Sequence, residues 1–186
     1  MSRQRALLEQ LRAYEPANAV EEDYRHRMID LLEYAPSPFS HTAFMPGHFT
    51  AGCFIIDDAG RLLLHHHRRL NLWLHMGGHI EGEEPAEVAA LREAMEESGL
   101  TDLRLDGGIF DLDVHAIPAS GGDPDHDHFD VRYLARAADP GAIRIAEDES
   151  NELAWIALDR AAELMPADAM RVIPKIERAL RARSVT

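Results

Sequence analysis

Residues 78–100, Gly-His-Ile-Glu-Gly-Glu-Glu-Pro-Ala-Glu-Val-Ala-Ala-Leu-Arg-Glu-Ala-Met-Glu-Glu-Ser-Gly-Leu, constrain the chain more than any other segment. Their pattern predicts a helix over 85–98. Pro85 suits the first helical position, where its missing N–H would have no partner in any case. Glu84 and Glu87 complement the positive end of the helix dipole, and Gly99 can take the left-handed conformation that closes a helix. At about 100° per residue, Val88, Leu91 and Met95 share one face, predicted to pack against a sheet. Glu93 and Glu97 point the other way, with Glu96 at the margin. Ala86, Ala89 and Ala90 lie toward the carboxylate side, where small side chains would leave room for ions and a ligand. Arg92, between the two faces, is placed to pair with Glu96 or Glu93. Like charges at this spacing repel, and oxygen-rich clusters suit hard cations such as Mg²⁺ or Mn²⁺. Taken alone, a Glu-x-x-Glu-Glu run describes a solvated helix face equally well.

The rest of the chain supplies a mixed pattern. Residues 2–34 read as two helices separated by Pro16 and Asn18, with Leu7, Leu8, Leu11 and Tyr14 forming one apolar stripe. Val20, Tyr24, Met28, Ile29, Leu31 and Leu32 form a second. Pro36 and Pro38 end this hairpin, which reads as an extension over 1–40 appended to a domain over 41–186. Phe49–Ile56, the turn Asp57-Asp58-Ala59-Gly60 and Arg61–His67 read as a β-hairpin. Leu72–Leu74 is a short extended piece. Leu103–Ala116, Phe129–Arg136 and Leu153–Ala157 read as later strands, with helices near Asp159–Leu164 and over Ala169–Arg181. Strands on both sides of one central helix imply an α/β layered domain.

Composition excludes some functions. The formal net charge of −14 opposes non-specific binding to nucleic acid or to an anionic membrane. No apolar run approaches the roughly 18–20 residues that span a bilayer, and the N-terminus lacks a signal-peptide core. The cytoplasm is therefore the expected location. The single cysteine, Cys53, lies in the apolar run Ala51–Ile56 and reads as a buried thiol that forms no internal disulfide.

In full, the central segment resembles the box of the Nudix family, G-x5-E-x7-R-E-U-x-E-E-x-G-U, where U is a bulky aliphatic residue. Gly78, Glu84, Arg92, Glu93, Glu96, Glu97, Gly99 and Leu100 fall on its positions, and the one departure is Ala94 at the first U. The resemblance implies an α/β/α sandwich around a mixed β-sheet, with the N-terminal helices appended. It implies a metal site of Mg²⁺ or Mn²⁺ on Glu93, Glu97, Glu96 and the carbonyl of Gly78, with Arg92 orienting the glutamates. The implied activity is hydrolysis of a nucleoside diphosphate linked to another moiety, by water attack on phosphorus. A glutamate would act as base, Glu93 or a downstream residue. The implied partner is thus a small phosphorylated molecule, and a homodimer is compatible with the helical extension.

Beyond the box the likeness covers residues 41–160 with less specific motifs. Trp73 through His79 resembles the W-x-x-P-G-G-H approach of many bacterial members, with Met76 in place of proline. His126, His128, Asp130 and Arg132 alternate along a strand and would share one face, as candidate substrate or metal contacts or as a polar sheet face beside a loop. Among Glu147, Asp148, Glu149 and Glu152, Glu149 is the candidate for a further metal-binding carboxylate. The run His65-His66-His67 places two histidines on one strand face, without the accompanying ligands of a zinc motif; His41 and His48 receive no role. Two other readings stand beside hydrolysis. One is a ligand-sensing Nudix domain without turnover. The other is a diphosphate isomerase on the same fold, which would need a catalytic cysteine that Cys53 is badly placed to supply.

Overall fold

The computed structural model describes residues 2–146, 150–167 and 169–183. By contacts the chain divides into two units, each assembled from separate stretches of sequence. Several elements, including the central helix, run through both.

The first unit takes residues 1–52, 77–92 and 107–133. Its N-terminal hairpin consists of α1 (Arg3–Ala13) and α2 (Ala19–Tyr34). Asn18 caps α2 by accepting from the Glu21 N–H at 3.0 Å, and the buried Glu21 carboxylate accepts from Tyr14 Oη and the Ala17 N–H. Side chain and backbone therefore satisfy each other at the break between the helices. Leu7 and Leu11 are buried from α1, and Met28, Leu31 and Leu32 from α2. Val20, expected on that stripe, is 55% exposed, because burial along α2 starts one residue later at Glu21.

Strand β1 (Gly47–Ile56) pairs with β4 (Met76–His79), a short strand the sequence did not suggest. Gly77 makes the pairing possible: a Cβ there would lie 2.8 Å from both the Ala51 carbonyl oxygen and the Gly52 Cα. Strand β6 (Asp111–Ile117) runs antiparallel to β7 (His126–Ala137) and packs on α2. The register sets Leu112 opposite Val131 and Val114 opposite Phe129, an apolar face. The other face carries Asp111 opposite Arg132, Asp113 opposite Asp130 and His115 opposite His128.

The second unit takes residues 53–76, 93–106 and 134–186. The predicted hairpin is present: Ile55 pairs with Leu63 of β2 (Leu62–His67), and the Gly60 N–H closes the turn on the Asp57 carbonyl at 3.0 Å. Strands β3 (Leu72–Leu74) and β8 (Ser150–Ile156) both pair antiparallel with β2, and β5 (Leu103–Leu105) pairs with the end of β7. The single extended run expected over Leu103–Ala116 is broken into β5 and β6 at Gly107, where φ is +105°. Helix α4 (Leu158–Leu164) precedes α5 (Ile173–Arg183). The last helix starts later than expected, after a 3₁₀ turn at Met170–Val172. Pro174 then sits in its first turn, where no backbone N–H is needed. Among the described residues no helix is long and apolar enough to cross a membrane.

The central helix, α3 (Ala86–Ser98), corrects the predicted orientation of its faces. Ala86, Ala89, Ala90 and Ala94 are buried, whereas Val88 is 47% exposed and Leu91 and Met95 are only half-buried. Side-chain size explains the reversal. A row of methyl groups lets the helix backbone approach its surroundings closely and lose water completely, as bulkier side chains would not. Glu97 follows Ala86, Ala90 and Ala94 at helical spacing, so it lies on the buried face and is 6% exposed.

Candidate functional site

The loop before α3 is braced by Arg92. Its guanidinium forks onto the Glu84 carboxylate at 2.8 and 3.3 Å and donates to the His79 carbonyl at 2.9 Å. Glu84 also accepts from the Glu81 N–H at 2.8 Å. Burial raises the Glu84 pKa, but the Arg92 and Glu81 hydrogen bonds and the Arg92 charge outweigh it, leaving Glu84 below its ordinary value. Two box residues eight positions apart thus hold the turn after Gly78 against the helix through one bidentate contact. Gly99 closes α3 as expected, with φ of +71° and its N–H on the Met95 carbonyl at 2.9 Å. A Cβ at Gly99 would meet that of Arg144 at 2.7 Å.

The acidic residues of α3 differ in exposure. Glu97 is buried, Glu93 half-buried and Glu96 exposed. Gly78 is half-buried in β4. Glu149, the candidate loop ligand, lies outside the described residues. The donor set offered by α3 is all carboxylate oxygen within two turns of one helix. That chemistry fits a hard divalent cation and does not fit a thiophilic one.

The candidates on β7 do share one face, and the structure divides them into two groups. Arg132 is buried, donating to Asp130 at 2.7 Å, to Asp113 at 2.8 Å and to Asp111 at 3.4 Å. Thr50 Oγ1 donates to Asp130 at 3.1 Å, and Asp113 bonds His115 Nδ1 at 2.8 Å. One guanidinium therefore serves three buried carboxylates. Burial raises the Asp113 pKa, but the His115 hydrogen bond and the Arg132 charge bring it down to about 2. For His115 burial lowers the pKa, yet the Asp113 hydrogen bond and the Asp130 charge raise it above the ordinary value.

Further along the same face, His128 and His126 meet residues with no sequence proximity. The ring centroids of His48 and His128 are 4.8 Å apart, those of His48 and His126 5.1 Å, and those of His126 and His128 5.2 Å. His79 lies 5.1 Å from His48 and 5.6 Å from His128. Burial lowers His48 to about 4 and His128 to about 3, with the neighbouring histidines adding to the shift. His48, given no role from sequence, is thus at the centre of a histidine cluster. No periodicity could reveal it, because His48 belongs to β1 and the others to β4 and β7.

The remaining candidates have simpler places. His65 is buried and bonds Ser150 Oγ at 2.8 Å, and burial lowers its pKa to about 4. Cys53 is fully buried, and desolvation raises its thiol to about 12, which removes the nucleophile an isomerase would need.

The model of the NUDIX domain family matches residues 46–176, more than half of the chain, beginning after α1 and α2. A search of the curated proteins finds no match. Among solved structures the chain is similar to the Ap4A hydrolase of C. elegans in a binary complex. That likeness has 21% identity over 72% of this chain and 98% of that one, with a TM-score of 0.60, and shows the shared fold. It is also similar to a NUDIX-family hydrolase from Clostridium perfringens, 27% identical over 73% of this chain and 97% of that one, TM-score 0.54. A MutT NUDIX hydrolase from Burkholderia pseudomallei is 30% identical over 69% of this chain and 95% of that one, TM-score 0.51. The α/β fold expected from the box is therefore the one present, and the chain belongs to the Nudix family of hydrolases.

Proposed function

We propose that this chain is a divalent-metal-dependent pyrophosphohydrolase, splitting a pyrophosphate-type linkage in a nucleoside diphosphate–X or related substrate by water attack on phosphorus. The supporting observation is the whole box on one loop and helix, with Arg92 locked to Glu84 and Glu97 buried on the alanine face. Hard divalent cations prefer such carboxylate oxygens, so the helix offers donors of the right type beside the buried Glu97. Glu93, Glu96, Glu97, Glu149 and the Gly78 carbonyl would hold Mg²⁺ or Mn²⁺, which when bound supplies charge neutralisation at phosphate and a more acidic water. Glu93 takes the proton of the attacking water, with Glu96 beside it on the helix. Arg92 keeps the Gly78 loop and the helix in one arrangement.

Of the four β7 residues read as substrate contacts, Asp130 and Arg132 serve as buried support, and His126 and His128 are the pair left to meet a ligand. Residues 1–40 are read as an extension of the 41–186 hydrolase domain. Tyr14 Oη donates to the Phe110 carbonyl at 3.2 Å, and Gln10 bonds Tyr133 at 3.1 Å and Glu87, in the first turn of α3, at 3.2 Å. Dinucleoside polyphosphates, in keeping with the name of the Ap4A hydrolase neighbour, head the panel to assay with Mg²⁺ or Mn²⁺. Glu97→Gln should lower kcat by about 10²–10³-fold with the fold retained. Turnover unchanged in Glu97→Gln would sink the site, and metal binding without cleavage of any substrate would favour a ligand-sensing domain.

A further inference from the structure

The buried histidine of β1 has an unsatisfied ring nitrogen. His48 is 0% exposed, and its Nε2 is buried with no hydrogen-bond partner among the described residues. An unsatisfied ring nitrogen in the interior is costly, and here its ring lies among other imidazoles. One ring nitrogen each from His48, His126 and His128 lie within 4.8 Å of one another.

We propose that His48, His126 and His128 form a three-histidine site for a borderline-soft divalent transition-metal ion such as Zn²⁺, separate from the carboxylates of α3. Three features carry the assignment. The donors are all imidazole, the set that suits zinc and its neighbours in the first transition row and is poorly matched to Mg²⁺. Two of the three rings make the Nδ1 contact to a carbonyl that metal-bound histidines commonly make. His48 Nδ1 faces the Ala43 carbonyl at 3.3 Å, and His126 Nδ1 faces the Pro124 carbonyl at 2.9 Å. A carbonyl accepting from Nδ1–H fixes the tautomer that leaves Nε2 free for an ion. Lastly, strand register sets where His128 stands. His128 stands opposite His115 in the β6–β7 register, and His115 is held by Asp113, which in turn is held by Arg132.

Nitrogens bound to one ion at about 2.0–2.1 Å stand a little over 3 Å apart, so the trio closes through modest ring rotations. Three ligands leave the fourth position to water or an incoming group, with His79 alongside. The run His65–His67, the more conspicuous one in the sequence, contributes nothing to this site.

The test uses the full chain, stripped of metal and titrated with Zn²⁺ or Co²⁺, in wild type and in a Glu93→Gln/Glu97→Gln background that removes the carboxylate site. Binding is read by calorimetry and by the visible absorption of Co²⁺. The background protein should take up one ion per chain, the wild type that same ion besides any the carboxylates hold, and both should show the intense bands of a four- or five-coordinate, nitrogen-ligated Co²⁺. In that background His126→Ala and His128→Asn should weaken binding at least about 100-fold, the upper end of what even an outer partner of a ligand is worth. His115→Asn, a ring neighbour outside the trio, should retain the ion. His126 is only half-buried at the start of β7, so its alanine variant serves where His128→Asn folds poorly; metal-free circular dichroism checks each. Failure of the folded background protein to bind Zn²⁺, or full-strength binding in His126→Ala, overturns the proposal. Neither result depends on turnover, so this proposal and the hydrolase reading fail independently.

Discussion

The chain builds two clusters of carboxylates by opposite means. On α3, Glu93, Glu96 and Glu97 come from five consecutive residues, and their closeness follows from one helical turn. On β6 and β7, Asp111, Asp113 and Asp130 come from separate strands and converge on Arg132 at 2.7–3.4 Å. The strand cluster contains its own permanent cation, buried among its three carboxylates, and the arginine of the box has Glu84 among its partners. Acidic density alone therefore does not identify a metal site. On the strands a buried guanidinium makes the cluster a structural network, whereas for α3 the function proposed above supplies an ion from solution.

The most severe way to break this contrast is to remove the internal cation. Arg132→Met leaves three buried carboxylates facing one another, and losing one partner of a buried network costs about 3–5 kcal/mol. Urea unfolding should show that loss, or no folded protein at all. A change under about 1 kcal/mol would mean that Arg132 is not the centre of the network.

The same contrast explains what could be read from sequence. The box, the helix ends at Pro85 and Gly99, and the β-hairpin around Asp57–Gly60 depend on residues close in sequence, and all were legible. The shared face of His126, His128, Asp130 and Arg132 was legible for the same reason, since alternation is a property of a single strand. Which of these would be buried in ion pairs was not, because their partners Asp111 and Asp113 are set by register across a hairpin. His48 is the extreme case, 78 and 80 positions from His126 and His128 in the chain. The faces of α3 were misread for another reason. Hydrophobicity ranked Val88, Leu91 and Met95 as the packing side, whereas closeness of approach selected the alanines.

That last point yields a sharper test, with an effect of up to about 3 kcal/mol. Ala90→Leu adds apolar bulk to a helix but on the face that has no room, and overpacking typically costs about 1–3 kcal/mol. Val88→Ala removes apolar bulk from the exposed face and should change stability by no more than about 0.5 kcal/mol. The ordering is the reverse of what hydrophobicity alone would give. Thermal or urea midpoints of the two variants decide it, and equal losses would return Val88 to the core.

The smallest of the three effects is acid sensitivity, and it belongs to the strand cluster. Asp113 faces Arg132 and His115 as favourable partners and Asp130 as an unfavourable one. Burial raises its folded pKa, and the His115 and Arg132 contacts outweigh that, bringing it down to about 2 from an ordinary 3.8. A group whose folded pKa is depressed stabilises the native state above its unfolded value and loses that contribution as pH falls through the folded one. Asp113 should thus contribute about 2 kcal/mol near neutrality, with the loss beginning below about pH 4 and approaching completion near pH 2. Asp113→Asn removes this titration, so its stability should fall less steeply than wild type across that window even though it starts lower. Urea midpoints measured at closely spaced pH values provide the comparison. Parallel acid arms in the two proteins would show that Asp113 does not carry the acid sensitivity and would move it to the other carboxylates around Arg132.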